Sequence, residues 1–224
     1  MSNKGFAIAI DGPAAAGKST VAKALAASMG FIYVDTGALY RAIGYYAYDK
    51  VDSTTNAEAV SALLGDIDIQ IKYIDGVQRI FLNGADVSED IRSPEMSMAA
   101  SNVSAIPAVR AFLLDLQRRL AAENNVVMDG RDIGTVILPN AQVKIFLTAS
   151  PEERARRRML EYKQKGQEVD FDQLLADIKQ RDYNDSHRAT APLKQADDAV
   201  LVDSTEMKFE QVLDKITAIV KEKF

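Results

Sequence analysis

Residues 12–19 read Gly-Pro-Ala-Ala-Ala-Gly-Lys-Ser, which are the residue types and the spacing of a phosphate-binding loop. Gly12 and Gly17 let the backbone bend so that successive N–H groups point at phosphate oxygens. Lys18 would bring a positive charge to the β- and γ-phosphates, and Ser19 would offer its hydroxyl to Mg²⁺. We therefore predict an ATP site made of Gly12, Pro13, Ala14, Ala15, Ala16, Gly17, Lys18, Ser19 and Thr20.

The segments on either side of this loop decide how specific the pattern is. An apolar run at residues 6–10 predicts a strand before the loop, and the composition of residues 20–29 predicts a helix after it. The alternative is a glycine-containing helix start that binds nothing. A strand before the loop and a helix after it favour the nucleotide site, because the helix N-terminus adds N–H groups and partial positive charge.

Arginines recur at places where a second phosphate could be held. Arg41 follows the second predicted strand, Arg131 follows the third, and Arg181 and Arg188 lie in a polar run near the C-terminal third. Arginine grips phosphate through two hydrogen bonds and keeps its charge when water is excluded. For any one of them a surface ion pair is the simpler interpretation. For Arg41 and Arg131 together, both near strand ends, we favour phosphate contact.

A further basic cluster begins at Ser150, which with Glu153 predicts the N-terminus of a helix. Glu152 and Arg156, and likewise Glu153 and Arg157, are spaced as ordinary helical ion pairs. Arg154 has no acid three or four residues away and lies one turn from Arg158, so we expect one unpaired positive face there. We favour a mobile lid that brings arginines to phosphates over a solvated helix.

Five short apolar runs, at residues 6–10, 31–34, 126–128, 143–147 and 199–202, alternate with helical stretches. Continuous apolar strands are typical of a parallel sheet that is buried on both faces, and the alternation is typical of an α/β fold. The first three runs end at Asp11, Asp35 and Asp129. Ligands gather at the carboxyl ends of such strands, so we expect these aspartates to line one crevice.

Residues 66–87 break this pattern, because apolar and polar residues alternate there around Asp75-Gly76 and before Asn83-Gly84. Such alternation and turns predict a small antiparallel sheet. Apolar residues at helical spacing from Phe209 onward predict a final core-facing helix. We predict one three-layer α/β kinase domain over 1–224, with a five-stranded parallel core (1–65, 97–150 and 189–224), an acceptor-binding β insertion at about 66–96 and a helical lid at about 151–188.

Composition narrows the possible partners. The chain lacks cysteine, which excludes disulfides and fits a reducing cytosol, and its net charge of -5 argues against binding a nucleic-acid polymer. His187, the single histidine, is expected to be solvated rather than catalytic. Since no apolar stretch approaches about 20 residues and no signal peptide precedes the first strand, we expect a cytoplasmic protein without a membrane partner. A monomer is the default expectation.

Four segments together resemble the bacterial cytidylate kinases, members of the nucleoside-monophosphate kinase family. They are the loop at 12–19, Asp-Thr-Gly-Ala-Leu-Tyr-Arg at 35–41, Asp-Gly-Arg-Asp at 129–132, and the run at 181–188. The resemblance extends over nearly the whole chain. Thr36 stands where that family also uses serine, which preserves the hydroxyl. The β insertion at about 66–90 is the feature that this family adds to its fold.

This resemblance implies phosphoryl transfer from ATP to CMP or dCMP with Mg²⁺. It implies that Ser101, Arg110 and Asp132 read the cytosine ring, and a carboxylate is indeed the natural acceptor for the exocyclic amine of cytosine. By residue type alone, Ser101 is equally a small residue on a helix. The remaining implied roles are catalysis by Lys18, Arg131, Arg154 and Arg158, ATP contact by Arg157, and binding of the acceptor's sugar and phosphate by Thr36, Arg41, Arg131, Arg181, Asp185 and Arg188.

Two points stay open at the level of sequence. Asp35 and Asp129 are equal candidates to orient Mg²⁺ beside Ser19. The nearest rival function is another small-molecule kinase, acting on UMP or on a non-nucleotide acid, and Ser101, Arg110 and Asp132 distinguish it. A switch or ATPase that acts through a partner is the rival of a different class. The chain has no Asn-Lys-x-Asp guanine-reading motif, which argues against a GTP-dependent switch.

Overall fold

The structure, a computed structural model, describes residues 5–164 and 166–224. Within them the strands are β1 (Ala7–Asp11), β2 (Ile32–Asp35), β3 (Ile69–Ile74), β4 (Val77–Leu82), β5 (Ala85–Asp86), β6 (Val126–Gly130), β7 (Val143–Thr148) and β8 (Val200–Asp203). The α-helices are α1 (Lys18–Met29), α2 (Thr36–Tyr48), α3 (Ala57–Ala62), α4 (Pro94–Ser104), α5 (Pro107–Glu123), α6 (Pro151–Gln164), α7 (Phe171–His187) and α8 (Phe209–Lys221).

The chain forms two compact units. The first, which we call the sheet unit, comprises Met1–Tyr33 and Asn124–Phe224, and the second, the hairpin unit, is the continuous segment Val34–Glu123. Each is described by itself below. The division of the chain into a core, an acceptor-binding insertion and a lid stays a prediction from the sequence.

The sheet unit is built on the predicted five-stranded parallel sheet, whose strand order is β2-β6-β1-β7-β8. All five apolar runs form strands, as predicted. β1 is central, and its register pairs Ala7 with Val126 on one side and Ile8 with Val143 on the other. The phosphate-binding loop that follows β1 is therefore anchored between two strands from the second half of the chain.

The core of the sheet unit packs α1 and α8 against the central strands. The predicted stripe of α8 is confirmed, since Val212, Ile216 and Val220 are buried with Leu25 of α1. Burying each such side chain contributes about 1.5–3 kcal/mol. The prediction that the strands are buried on both faces is wrong for β8, because its Leu201 is 51% exposed. Because β8 is an edge strand with one neighbour, it is covered less than the central strands.

The hairpin unit contains the predicted antiparallel sheet, with the order β3-β4-β5. Its two turns are Asp75-Gly76 and Asn83-Gly84, and all four residues have positive φ angles, between 49° and 84°. Two consecutive positive φ values define the type I′ turns that match the twist of a hairpin. Ser93, which precedes Pro94 at the start of α4, caps that helix by accepting a hydrogen bond from the Met96 N–H through its hydroxyl.

The helices of the hairpin unit enclose a second apolar core. Leu39 and Ile43 of α2, Val103 of α4 and Leu113 of α5 are all fully buried in it, together with Ile80 of β4. Among the described residues no single helix is long and apolar enough to cross a membrane. Only Glu95–Ser104 and Pro107–Glu123, taken together, pass that test, and their axes differ by 96°.

Candidate active site

The loop between β1 and α1 has the geometry that its sequence predicts. Gly17 precedes α1 with a φ of 87°, and Gly12 has a φ of 151°. A Cβ atom at Gly12 would lie 1.9 Å from the Leu147 carbonyl oxygen, so no side chain fits there. Ala15 also adopts a positive φ, of 59°. The strand–loop–helix arrangement turns backbone N–H groups toward the start of α1, which is where a phosphate binds in such loops.

Lys18 is almost completely buried, and its Nζ donates a hydrogen bond to the Pro13 carbonyl oxygen at 2.7 Å. Burial and, to a smaller extent, the nearby Arg131 lower the pKa of Lys18 to about 7, against the opposing effect of Asp129. A bound triphosphate would reverse this balance, because an anion favours the protonated amine. The lysine is therefore placed and electrostatically primed for an anionic ligand.

Asp129, at the end of β6, is held between two hydroxyl groups. Ser19 Oγ donates to Asp129 Oδ2 at 2.9 Å, and Tyr33 Oη donates to Asp129 Oδ1 at 2.9 Å. The carboxylate is 5% exposed. A serine hydroxyl beside a carboxylate at the end of a phosphate-binding loop is the set of oxygen ligands that suits Mg²⁺.

Asp11, at the end of β1, binds the main chain of the segment that follows Asp132. Its two oxygens accept hydrogen bonds from the backbone N–H groups of Ile133 and Gly134, each at 2.7 Å, and the residue is 4% exposed. Burial raises the pKa of Asp11 to about 6, and these two hydrogen bonds oppose the rise. Asp11 thus fixes the π-helical turn Ile133–Ile137 that follows Asp132, and its carboxylate also interacts electrostatically with Lys18 of the phosphate-binding loop.

Two arginine–aspartate pairs join the segment after β6 to the end of α7. Arg131 Nε donates to Asp185 Oδ2 at 2.9 Å, and an Arg188 nitrogen lies 3.5 Å from Asp132 Oδ1. Burial would raise the pKa of Asp185, but Arg131, Arg181 and Arg188 together lower it below its usual value. The structure thus brings together five of the predicted acceptor-binding residues within the sheet unit.

The predicted positive face of α6 is not unpaired. Arg154 is 3% exposed, and its guanidinium binds both oxygens of Asp182 on α7. It also donates to the Ala149 and Ala14 carbonyl oxygens, at 2.9 and 3.1 Å. The expected unpaired face is wrong because the acid comes from another helix, 28 residues away, which spacing along α6 could not reveal.

Other side chains of α6 have mixed outcomes. The Glu153–Arg157 pair is confirmed at 3.0 Å, whereas Glu152 pairs with Lys179 of α7 instead of Arg156. Arg157 also donates to both oxygens of Ser204, and a Cβ on Gly17 would lie 3.9 Å from it. It is thus close to the phosphate-binding loop. Arg158 pairs with Glu161 at 3.1 Å and lies over the Tyr162 ring.

In the hairpin unit, Asp35 organises the start of α2. Its carboxylate accepts a hydrogen bond from the Ala38 N–H at 3.0 Å and forms an ion pair with Arg41 at 2.8 Å. Burial would raise the pKa of Asp35, but Arg41 and the Ala38 N–H lower it below its usual value. Thr36, the first residue of α2, is buried. The helix start therefore presents the two residues predicted to hold a phosphate.

Ser101 and Arg110 lie on consecutive helices, α4 and α5, and are linked through Ser104. Arg110 donates to the Ser104 carbonyl oxygen at 3.2 Å, while Ser104 Oγ donates to the Ser101 carbonyl oxygen at 2.9 Å. Arg110 is 8% exposed and lies over the Tyr40 ring at 5.5 Å. A buried arginine stacked on a ring is a rigid hydrogen-bond donor, as recognition of a planar base requires.

Comparison with known proteins agrees with this geometry. The family model for cytidylate kinase matches residues 8–222. The chain belongs to the cytidylate kinase family. The curated cytidylate kinase of Caldicellulosiruptor bescii is 54% identical over 209 residues, which is 93% of this chain and 92% of that protein. The curated cytidylate kinase of Thermotoga maritima is 47% identical over 220 residues, or 98% of each chain.

A solved structure supports the fold independently. An uncharacterized protein from Eubacterium ventriosum has a TM-score of 0.54 and 14% sequence identity, and the alignment covers 96% of this chain and 98% of that one. Membership of the cytidylate kinase family implies nucleotide substrates, with ATP as the phosphoryl donor.

His187 is exposed and stacks on Tyr183 at 4.1 Å, so the expectation of a solvated histidine is confirmed.

Sequence reasoning missed three residues that form hydrogen bonds with candidate site residues. Tyr33 has one local signal, a hydroxyl within an otherwise apolar strand run that ends at Asp35. Asp182 adjoins Arg181, but its bond to Arg154 leaves no local trace. The sequence predicts Gln78 only as part of an extended strand. In the structure its side chain is buried and hydrogen-bonded to the main chain of Asp35.

Proposed function

We propose that this protein transfers the γ-phosphoryl group of ATP to CMP or dCMP, giving ADP and CDP or dCDP. Family membership over residues 8–222 is the observation that supports this proposal most strongly. The geometry agrees with it. A complete phosphate-binding loop with a buried lysine lies in the same unit as Asp132, the carboxylate proposed to accept the amine of cytosine.

The donor end is assigned to the sheet unit. Residues 12–20 and Arg157 hold the ATP phosphates, and Lys18 places its charge at the β- and γ-phosphates. Ser19 and Asp129 would hold Mg²⁺, and water and substrate phosphates would fill its other coordination positions, as is usual for this ion. When bound, Mg²⁺ neutralises phosphate charge. The contact with Ser19 favours Asp129 over Asp35, which instead caps α2.

The acceptor is assigned to the residues predicted to read its base and those predicted to hold its sugar and phosphate. Ser101, Arg110 and Asp132 read the base. Asp132 pairs with Arg188, and a carboxylate is the type of group that accepts a hydrogen bond from the cytosine amine. The sugar and phosphate are held by Thr36, Arg41, Arg131, Arg181, Asp185 and Arg188.

The reaction needs no covalent intermediate. An oxygen of the acceptor phosphate attacks the γ-phosphorus in line, the bond to the β–γ bridging oxygen breaks, and that oxygen leaves on ADP. Lys18, Arg131 and Arg158 stabilise the charge that develops on the transferring group. Arg154 is also assigned a catalytic role, and it would have to release Asp182 to reach a phosphate. Positioning and charge stabilisation supply the rate, so neither histidine nor cysteine is required.

The test is ADP release from Mg·ATP across a panel of acceptors: CMP, dCMP, UMP, AMP, GMP, shikimate and none. We expect strong turnover with CMP and dCMP alone, since uracil presents a carbonyl where cytosine presents its amine. Turnover with another acceptor would contradict the assigned base recognition while keeping a kinase. Acceptor-independent release would instead indicate an ATPase or a switch.

A further inference from the structure

Gln78 makes a pair of hydrogen bonds that is unusual for a glutamine side chain. It lies on β4 and is 9% exposed. The Asp35 N–H donates to its Oε1 at 2.8 Å, and its Nε2 donates to the Asp35 carbonyl oxygen at 3.3 Å. The side-chain amide of Gln78 thus pairs with both the N–H and the carbonyl group of one residue, as the main chain of a neighbouring strand would. Both residues belong to the hairpin unit.

The residue held in this way controls the start of α2. Asp35 is the N-cap of that helix, with the extended backbone angles φ −82° and ψ 96°. An N-cap residue needs such non-helical angles so that its side chain can bind the first free N–H groups. Because the main chain of Asp35 is fixed by Gln78, its carboxylate is directed to the Ala38 N–H and to Arg41. The hairpin sheet is thus connected to the place where Thr36 and Arg41 begin the helix.

We infer that Gln78 is a positioning residue for the acceptor nucleotide. It touches no substrate atom; it fixes the Asp35 main chain and, through the helix cap, the two side chains that hold the acceptor phosphate. The inference rests on the proposed function, in which Thr36 and Arg41 bind that phosphate. The amide of Gln78 satisfies both main-chain groups at once, whereas an ionised carboxylate cannot donate and an aliphatic side chain can do neither.

The first test compares Gln78→Met with wild type and with Gln70→Met. Gln70 lies on the neighbouring strand β3, is exposed, and donates to Asp68 at 2.8 Å, so it controls for changes to the sheet surface. We expect Gln78→Met to raise the KM for CMP roughly 5- to 30-fold, the cost of one or two misplaced hydrogen bonds. The KM for ATP should stay within about twofold, and Gln70→Met should change neither.

The second test replaces the amide by a carboxyl group of nearly the same shape. In Gln78→Glu the ionised carboxylate accepts from the Asp35 N–H but opposes its carbonyl oxygen, whereas the protonated acid restores a donor. The ratio of the variant's KM for CMP to that of wild type should therefore fall as the pH is lowered. Measuring wild type at each pH removes the titration of CMP itself. This variant decides the question if Gln78→Met does not fold.

Three results would overturn the inference. The first is an equal rise in both KM values, and the second is a lower Tm without any change in the KM for CMP, because in either case Gln78 would only support the fold. The third is a pH-independent ratio for Gln78→Glu. Failure of the proposed function looks different, since wild type itself would not turn over CMP. Gln78 would then be judged on the KM of whichever acceptor the wild type uses.

Discussion

The two units hold their arginines in different ways. In the hairpin unit, Arg41 pairs with an aspartate six residues away, and their side chains are 20% and 15% exposed. In the sheet unit, Arg131 and its partner Asp185 are 54 residues apart, and Arg154 pairs with Asp182 across 28 residues. The local pair belongs to a helix cap, whereas the remote pairs join separate elements.

This difference predicts which charges can be removed without unfolding the protein. Breaking an ion pair that has one side chain almost fully buried, as Asp185 and Arg154 are, leaves an uncompensated charge and costs about 3–5 kcal/mol. A pair whose two side chains both reach solvent, as those of Arg41 and Asp35 do, is partly screened and contributes less. The remote pairs should therefore support both the fold and the chemistry of the sheet unit. The local pair should affect the binding of the acceptor more than the free energy of unfolding.

The largest expected effect concerns Lys18, a buried cation of the sheet unit that is hydrogen-bonded to a carbonyl rather than paired in the manner of Arg154. We expect Lys18→Met to lower kcat by about 10³-fold, because the charge on the transferring phosphate loses its principal neutraliser. The Tm should stay the same or rise, since burial disfavours this cation. Steady-state kinetics and thermal denaturation measure the two. A large loss of Tm would make Lys18 structural.

The next effect compares base recognition in the two units. Asp132→Asn should raise the KM for CMP by about 10- to 100-fold, since the proposed acceptor of the cytosine amine loses its charge and one acceptor oxygen. The KM for ATP should change little. Ser101→Ala in the hairpin unit should act in the same direction with a smaller effect. Equal effects of Asp132→Asn on both substrates would remove Asp132 from base recognition.

The same substitution in both units tests the comparison itself. Arg154→Met should lower the free energy of unfolding by about 3 kcal/mol, or roughly 6–12 °C in Tm, because Asp182 and two carbonyl groups lose their partner. Arg41→Met should cost about 1 kcal/mol. Differential scanning calorimetry of both variants, with Asp182→Asn and the Arg154/Asp182 double variant, gives the coupling energy. Similar losses at both sites would contradict the distinction between remote and local pairs.

The smallest expected effect is the uptake of one proton by Lys18 when ATP binds. With a pKa of about 7, Lys18 is mostly neutral at pH 8, and a bound triphosphate restores its charge. ATP binding at pH 8 should therefore take up close to one proton, and its affinity should weaken by up to about tenfold per pH unit above 7. Calorimetry in buffers of different ionisation enthalpy measures the uptake. Lys18→Arg, always protonated, should show none beyond that of ATP itself, and equal uptake in both proteins would exclude Lys18 as the source.

The parts that the sequence could predict are those whose partners are close along the chain. The loop at 12–19, the five strands, both type I′ turns and the Ser93 cap follow from local residue types. Arg154 could not be interpreted in this way, because Asp182 reaches it only when α6 and α7 pack together. The hydrogen bonds of Asp11 could not be predicted, for the same reason. Its partners are backbone N–H groups 122 and 123 residues away, and a backbone group leaves no signal in the sequence.

The position of β1 has a consequence for how the protein is made. Both neighbours of β1 follow residue 124 in the chain, so the strand and the loop after it cannot reach their native pairing until more than half of the polypeptide has left the ribosome. The hairpin sheet is closed by local turns and needs no such wait, since hairpins form within about 1–10 μs. The apolar N-terminal strand is thus the segment with the longest unpaired interval during synthesis. Aggregation in the cell should begin there, and chaperones should bind there first.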